Sequence, residues 1–235
     1  MQYAEEYNLR RGLVHDPAVQ AAFDSSFWKG DTANLAFDSV KNAYKIGDTS
    51  AGAVGAISSY SQYLFGDFEF TLRFDSLSPD SNDGASLAQG KRFGLFNPGD
   101  TLERGAAYFE MRYDTIAGGD TTNTRPFRAV VRSETGTVQR KNITWDTLWA
   151  GVDTANTRYR IKWESDGYTF LINDTVYATM GDRPDSSPST FQINTSIPQA
   201  LRISNSTVDA TDTSAMSLKF LVIRNSRMIN RRVML

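Results

Sequence analysis

The clearest pattern in the chain lies in residues 158–180, where apolar and polar side chains alternate. The odd-numbered residues from Tyr159 to Trp163 are apolar and their neighbours are charged, which is the period of a strand with one buried and one solvent-facing side. A hairpin turn is predicted at Asp166-Gly167, because glycine accepts the positive φ that a two-residue turn requires. A second reversal is predicted at Asn173-Asp174. The segment is therefore predicted to be a three-stranded antiparallel meander.

Similar short runs recur along the chain, separated by Gly, Asp, Asn, Ser and Thr. They lie at about 33–38, 53–58, 68–74, 91–96, 107–114, 126–133, 137–144, 158–163, 168–173, 176–180, 200–204 and 217–223. The only helical signal is in the first 26 residues, where Asp16-Pro17 indicates the start of a short turn. Many short strands without a central helix or a linker predict an all-β fold, an antiparallel two-sheet sandwich with a short, partly helical N-terminal segment.

Composition narrows the function classes. The chain has 235 residues, 40% of them hydrophobic, and a net charge of −2, so no overall field favours nucleic acid or anionic lipid, and we expect neither a nucleic-acid partner nor membrane insertion. Cysteine is absent, which excludes disulfides, thiolate metal sites and cysteine nucleophiles. The single histidine, His15, precedes Asp16-Pro17, which favours a surface turn over a catalytic relay. The N-terminus has neither a basic leader nor an apolar run, so no signal peptide is expected.

Several of these strands together resemble a known superfamily. The stretches are Gly66 to Phe74, Lys91 to Phe96, Ala107 to Asp114, the meander, and Met216 to Arg224. Across residues 27–224 they are similar to the concanavalin A-like lectin and glucanase superfamily, which includes laminin-G-like modules. The resemblance implies a jelly-roll sandwich with one curved and one flatter sheet. Because the superfamily contains enzymes, lectins and spacers, it is specific for fold and not for function.

The enzymatic branch can be tested on one strand. Family 16 glycoside hydrolases resemble one another in a Glu-x-Asp-x-Glu strand whose outer carboxylates are nucleophile and acid/base, and the nearest match here is Glu110-Met-Arg112-Tyr-Asp114. Arg112 replaces the central carboxylate. A cation between two carboxylates favours their ionised forms, whereas a general acid must hold a proton near neutrality. We therefore expect a non-catalytic chain in which Glu110 belongs to a cross-strand ion-pair ladder, with Glu110 and Asp114 as the catalytic alternative.

A glycan-binding interpretation needs aromatic platforms and polar groups on a loop or a concave face. Trp145 and Trp149 flank Asp146 in one segment, although their spacing also fits a helical turn in which the tryptophans cap the core. A second candidate set would share a solvent-facing surface if its strands are neighbours. It consists of Tyr108, Arg112, Arg128 and Arg132.

Two loops carry clustered oxygen ligands. One contains Asp80, Asn82 and Asp83, and the other contains Asp209 and Asp212. Neither follows the twelve-position calcium loop of an EF-hand, and Asx-rich loops are commoner as turns that satisfy their own backbone. We expect no cofactor, with calcium as the candidate if one of these loops binds metal.

The C-terminal end carries a further signal. Arg224, Arg227, Arg231 and Arg232 stand among apolar residues, a mixture that is common at protein interfaces. We therefore divide the chain into an N-terminal docking segment (1–26), the sandwich (27–224) and a basic C-terminal docking tail (225–235).

These observations favour a non-catalytic structural or adhesion component of a larger assembly. A cysteine-free, β-rich chain without a signal peptide is typical of many bacteriophage virion proteins, and sandwiches of the resembling superfamily recur in their decoration, fibre and tail modules. The expected partners are other virion subunits, further copies of the chain in a homo-oligomer, and a surface glycan, with the chain on the particle surface. The alternatives are a free carbohydrate-binding module and a family-16-like glycoside hydrolase.

Overall fold

The computed structural model describes residues 13–15, 28–30, 35–40, 42–46, 55–63, 66–74, 91–98, 104–111, 127–143, 157–164, 167–181, 197–205, 216–224 and 228–229. These residues contain sixteen strands. In chain order they are β1 (Leu13–His15), β2 (Trp28–Gly30), β3 (Leu35–Asp38), β4 (Ala43–Ile46), β5 (Gly55–Tyr63), β6 (Gly66–Phe74), β7 (Lys91–Phe96), β8 (Ala106–Met111), β9 (Phe127–Arg132), β10 (Val138–Ile143), β11 (Arg158–Glu164), β12 (Gly167–Ile172), β13 (Thr175–Met180), β14 (Gln199–Asn205), β15 (Met216–Arg224) and β16 (Met228–Ile229).

The strands form two eight-stranded antiparallel sheets. Sheet I has the order β13-β12-β11-β6-β15-β4-β3, with β1 also paired with β15. Sheet II has the order β10-β9-β8-β7-β14-β5-β16, with β2 also paired with β5. The all-β, two-sheet antiparallel sandwich predicted from the sequence is thus confirmed.

The core lies between the two sheets and is rich in aromatic rings. Phe70 of sheet I packs edge-on against Phe93 of sheet II with ring centroids 5.9 Å apart, and Phe170 packs against Phe109 at 5.1 Å. Tyr159, in the predicted meander, lies 4.9 Å from Phe93, and all five rings are fully buried. The alternation that predicted one dry side for β11 and β12 is therefore confirmed.

The meander turns at two places. Asn173 and Asp174 have φ of 47° and 66° between β12 and β13, as a type I′ turn requires, so the predicted reversal is confirmed. The turn predicted at Asp166-Gly167 is wrong for Gly167, which pairs with Glu164 as the first residue of β12. Glycine is needed there because a Cβ would lie 2.5 Å from the Met180 carbonyl oxygen. Residues 165–166, between the paired positions, lie outside the described residues.

All twelve predicted strands occur, and four further short strands, β1, β2, β4 and β16, were not predicted. With two to four residues each, they are too short to show a periodic pattern. Strand β1 places His15 opposite Leu221, so the expected turn at His15 is wrong. Strands β1 and β16 fall inside the predicted docking segments and pair with β15 and β5 of the sandwich, while an assembly role of those segments stays a prediction. The predicted helical turn after Asp16 lies outside the described residues.

Candidate functional site

The outer face of sheet II, on the side away from the inter-sheet core, carries the strand singled out by its carboxylate pattern. Strands β7, β8 and β9 are adjacent, and their register places Arg92 beside Glu110 and Glu110 beside Arg128. Since successive side chains alternate, Phe93 and Phe109 enter the core and these three charged residues share the outer face.

Glu110 is held between the two arginines. Arg92 Nε donates a hydrogen bond to Glu110 Oε1 at 2.9 Å. Arg128 Nε lies 2.9 Å from Oε2, in an ion pair in which this N–H is not aligned for a hydrogen bond. Glu110 is only 3% exposed, and Arg92 and Arg128 are 7% and 6% exposed. The predicted cross-strand ion-pair ladder is therefore confirmed, with Arg92 and Arg128 as the cations.

Aromatic side chains continue this face beyond the ion pairs. Tyr108 stacks on Phe96 with ring centroids 4.9 Å apart and planes 16° apart. The Arg92 guanidinium lies 5.5 Å from the centroid of Tyr108, and that of Arg202 lies 5.4 Å from the centroid of Phe96. Arg132 Nε donates a hydrogen bond to the Tyr108 hydroxyl at 3.2 Å. Cations over ring faces and stacked rings hold one another in place, so this surface is preorganised.

A glycine permits the close approach of β7 and β8. A Cβ on Gly94 would lie 2.4 Å from the Ala107 carbonyl oxygen and 2.8 Å from the Tyr108 Cβ. Phe96, Ala106, Tyr108 and Val130 then form a second buried apolar cluster on the outer side of the sheet. Strand β8 is consequently buried on both faces.

The structure describes three of the predicted glycan-binding residues. Tyr108, Arg128 and Arg132 share one face, as expected from neighbouring strands. That face was expected to be solvent-facing, which is wrong for Tyr108 and Arg128, because both are buried in contacts with neighbouring side chains; Arg132 is partly exposed. Their role in glycan binding stays a prediction. The remaining candidates lie outside the described residues: Arg112, Asp114, Trp145, Asp146 and Trp149.

Other predicted sites fall largely outside the described part of the chain. This holds for the calcium candidates Asp80, Asn82, Asp83, Asp209 and Asp212, and for Arg227, Arg231 and Arg232 of the tail. Of Arg224 the structure describes the backbone, at the end of β15. Within the described ranges, no group of three or more His, Cys, Asp or Glu residues could hold a metal ion. The described residues also include no helix long and apolar enough to cross a membrane.

The outer face of sheet I carries a separate ion-pair network. Arg160 donates hydrogen bonds to both carboxylate oxygens of Asp67 and, at 2.8 Å, to Asp174 Oδ1. Arg158 Nη2 donates to Asp174 Oδ2 at 2.6 Å. The hydrogen bond from Arg160 lowers the pKa of Asp174, with a smaller contribution from Arg158. The hydrogen bond to Asp67 raises the pKa of Arg160 above its ordinary value, so this guanidinium stays charged.

A groove between edge strands was missed by the sequence analysis. Strands β10 and β13 are edges of different sheets, and the Gly181 amide donates to Gln139 Oε1 at 3.0 Å, tying them together. The groove between them has a volume of about 520 Å³. Its lining consists of Gln139, Arg140, Lys141, Tyr177, Ala178, Thr179 and Met180. Only the meeting of two distant strands creates it, so no local motif could have indicated it.

No protein-family model matches the sequence, and no curated protein matches it either. Solved structures do match in fold. The apo Crh5 transglycosylase aligns with a TM-score of 0.59 at 16% identity, over 91% of this chain and 83% of the enzyme. The laminarinase from Rhodothermus marinus gives 0.59 at 11% identity, over 93% and 97% of the two chains. A glycoside hydrolase family 16 endo-glucanase from Bacteroides ovatus gives 0.56 at 13%, over 90% and 99%. The chain therefore has the concanavalin A-like jelly-roll fold that these glycan-acting enzymes share.

Proposed function

We propose that this chain is a non-catalytic structural or adhesion component of a larger assembly, and that the assembly is a bacteriophage virion. The observation that carries the non-catalytic part is the state of Glu110. In the sequence pattern, Glu110 is the best match to the nucleophile of family 16 enzymes. It is nevertheless only 3% exposed and paired with two arginines.

A retaining glycosidase needs one carboxylate that reaches the anomeric carbon and a second that gives a proton to the leaving oxygen. Glu110 Oε1 already accepts a hydrogen bond from Arg92, and Oε2 faces Arg128. Tyr108 lies two residues earlier on the same face and is stacked on Phe96. These contacts favour a scaffold surface in place of a hydrolytic cleft.

Hydrolysis is tested on the purified full chain with laminarin, lichenan and chitin oligosaccharides. The wild-type chain should release no more reducing ends than a blank without protein. Release above the blank would overturn the non-catalytic assignment, and its loss in the Glu110→Gln variant would favour the glycoside hydrolase alternative.

The assembly role is tested separately. Size fractionation of the native source should recover the chain in a multi-megadalton particle, whereas recovery as a small free species would favour a carbohydrate-binding module. A chain truncated after Asn230 keeps β16, which pairs with β5 through Met228 and Ile229. This truncation should fold normally and incorporate poorly into the particle. If it incorporates like the full chain, the docking role of the tail is wrong.

A further inference from the structure

We infer that the groove between β10 and β13 is a binding site for an acidic saccharide. This inference rests on the proposed adhesion role and deepens it, and Glu110 is not among the residues that line the groove. The groove has a volume of about 520 Å³, which lies within the range of small-molecule sites.

The charge of the groove is the first argument. Arg140 and Lys141 border it from opposite faces of the edge strand β10 and are exposed, and no Asp or Glu is among its lining residues. Neither side chain has an ion pair or hydrogen bond with the described residues. The chain as a whole has a net charge of −2, so this positive surface is local. Two cations at a concave surface, with no counter-charge among the described residues that line it, favour a ligand that carries a carboxylate or sulfate.

The second argument is the placement of Tyr177. The register of β12 with β13 shifts between Phe170 and Leu171, so that Ala178 and Val176 pair across and Tyr177 is the extra residue of a β-bulge. A bulge turns a side chain away from strict alternation. Tyr177 accordingly packs against the core with part of its surface and lines the groove. An aromatic ring at a groove wall is a stacking partner for the C–H face of a sugar.

The remaining lining completes a saccharide-type surface. Gln139 and Thr179 supply amide and hydroxyl groups, and Ala178 and Met180, which are 7% and 8% exposed, form an apolar floor. An extended acidic peptide is disfavoured, because the bulge at Tyr177 interrupts the edge of β13, where such a peptide would pair as an added strand. Polar groups, one ring and two cations in a compact groove match a short acidic oligosaccharide better.

The test is calorimetric titration of the purified full chain with trigalacturonate, a hyaluronan tetrasaccharide and sialyllactose. At least one of these should bind, and its carboxyl methyl ester should bind about tenfold more weakly, as expected for the loss of charged hydrogen bonds. Raising the salt concentration from about 50 to 500 mM should also weaken binding, because the cations are exposed.

Variants locate the site. Lys141→Gln and Arg140→Gln should each weaken binding about fivefold to tenfold without changing the melting temperature, since both side chains are exposed. Tyr177→Leu keeps an apolar contact with the core and should lower affinity through loss of the ring. Lys45→Gln removes the same charge from a partly exposed position on β4, five strands from β13 in sheet I, and should bind like the wild type.

Four results would overturn the inference. They are no binding of any of the three acidic probes, equal binding of an acid and its methyl ester, an equal loss in Lys45→Gln, and binding of hexaglutamate as tight as that of the best saccharide. The proposed function is read from hydrolysis and particle size, so either proposal can fail while the other stands.

Discussion

Replacing Glu110 by glutamine should destabilise the protein. The substitution keeps the size of the side chain and removes its charge, which leaves Arg92 and Arg128 on either side of a neutral amide. The three side chains are between 4% and 9% exposed, so water cannot replace the lost counter-charge. Breaking a buried ion pair by removing one partner costs about 3–5 kcal/mol of unfolding free energy.

We expect the lower end of that range, about 3 kcal/mol, because the glutamine oxygen can still accept the hydrogen bond that Arg92 donates. For a domain of this size the loss corresponds to a fall of about 6–12 °C in melting temperature. Urea unfolding followed by tryptophan fluorescence measures the loss of unfolding free energy. The matched control is Glu164→Gln at the exposed end of β11, which should change stability by less than about 0.5 kcal/mol.

A double-mutant cycle with Arg92→Met assigns the loss to the pair. The coupling between positions 92 and 110 should be about 1–3 kcal/mol, since the two side chains are in direct contact. If Glu110→Gln unfolds at the same urea concentration as Glu164→Gln, or if the cycle shows no coupling, the ladder does not stabilise the fold and our account of this face is wrong.

Three further substitutions test the fold. Phe70→Ala should lower unfolding free energy by about 3–5 kcal/mol in urea, because a fully buried ring that contacts Phe93 is lost; a loss below about 1 kcal/mol would contradict the inter-sheet packing. Gly94→Ala should reduce soluble expression and melting temperature, since its Cβ would meet backbone atoms of β8, and an unchanged melting temperature would refute that close approach. Asp174→Asn keeps a residue type that tolerates positive φ but removes a carboxylate whose pKa is lowered by Arg160. The stability difference from wild type should be present at pH 7 and vanish as pH falls below about 4, and a difference that persists at pH 2 would exclude the ion pair as its cause.

Strand β11 of the meander and strand β6 could be predicted because apolar residues on one face alternate with polar residues on the other. Tyr159 and Trp163 on β11 show this directly, with polar neighbours that face outward. Prediction failed where strands are very short, as in β4, whose four residues follow Asn42 at a φ of 47°. The sequence analysis also placed a turn at Gly167, because glycine is common in turns. In the structure this glycine is needed because β13 approaches its backbone closely.

The site was only partly predictable for a related reason. Alternation was enough to assign Glu110 to an ion-pair ladder. Its partner Arg92 could not be predicted, because Arg92 lies on a strand whose residues are all buried, so a polar side chain there does not indicate an exposed position. The groove required knowledge that β10 and β13 lie side by side at one edge of the sandwich. Tyr177 faces it through a bulge, which breaks the period on which sequence reasoning depends.

The double-sided burial of β8 limits how this protein can vary. Every residue from Ala106 to Glu110 is at most 3% exposed, so a saturation mutagenesis library should find almost no permissive position in this stretch. Replacements at positions 92, 110 and 128 should be tolerated mainly in combinations that keep the local charge balanced. Natural variants are therefore expected to covary at these three positions, while the exposed residues of β10 and β13 diverge with whatever the groove contacts.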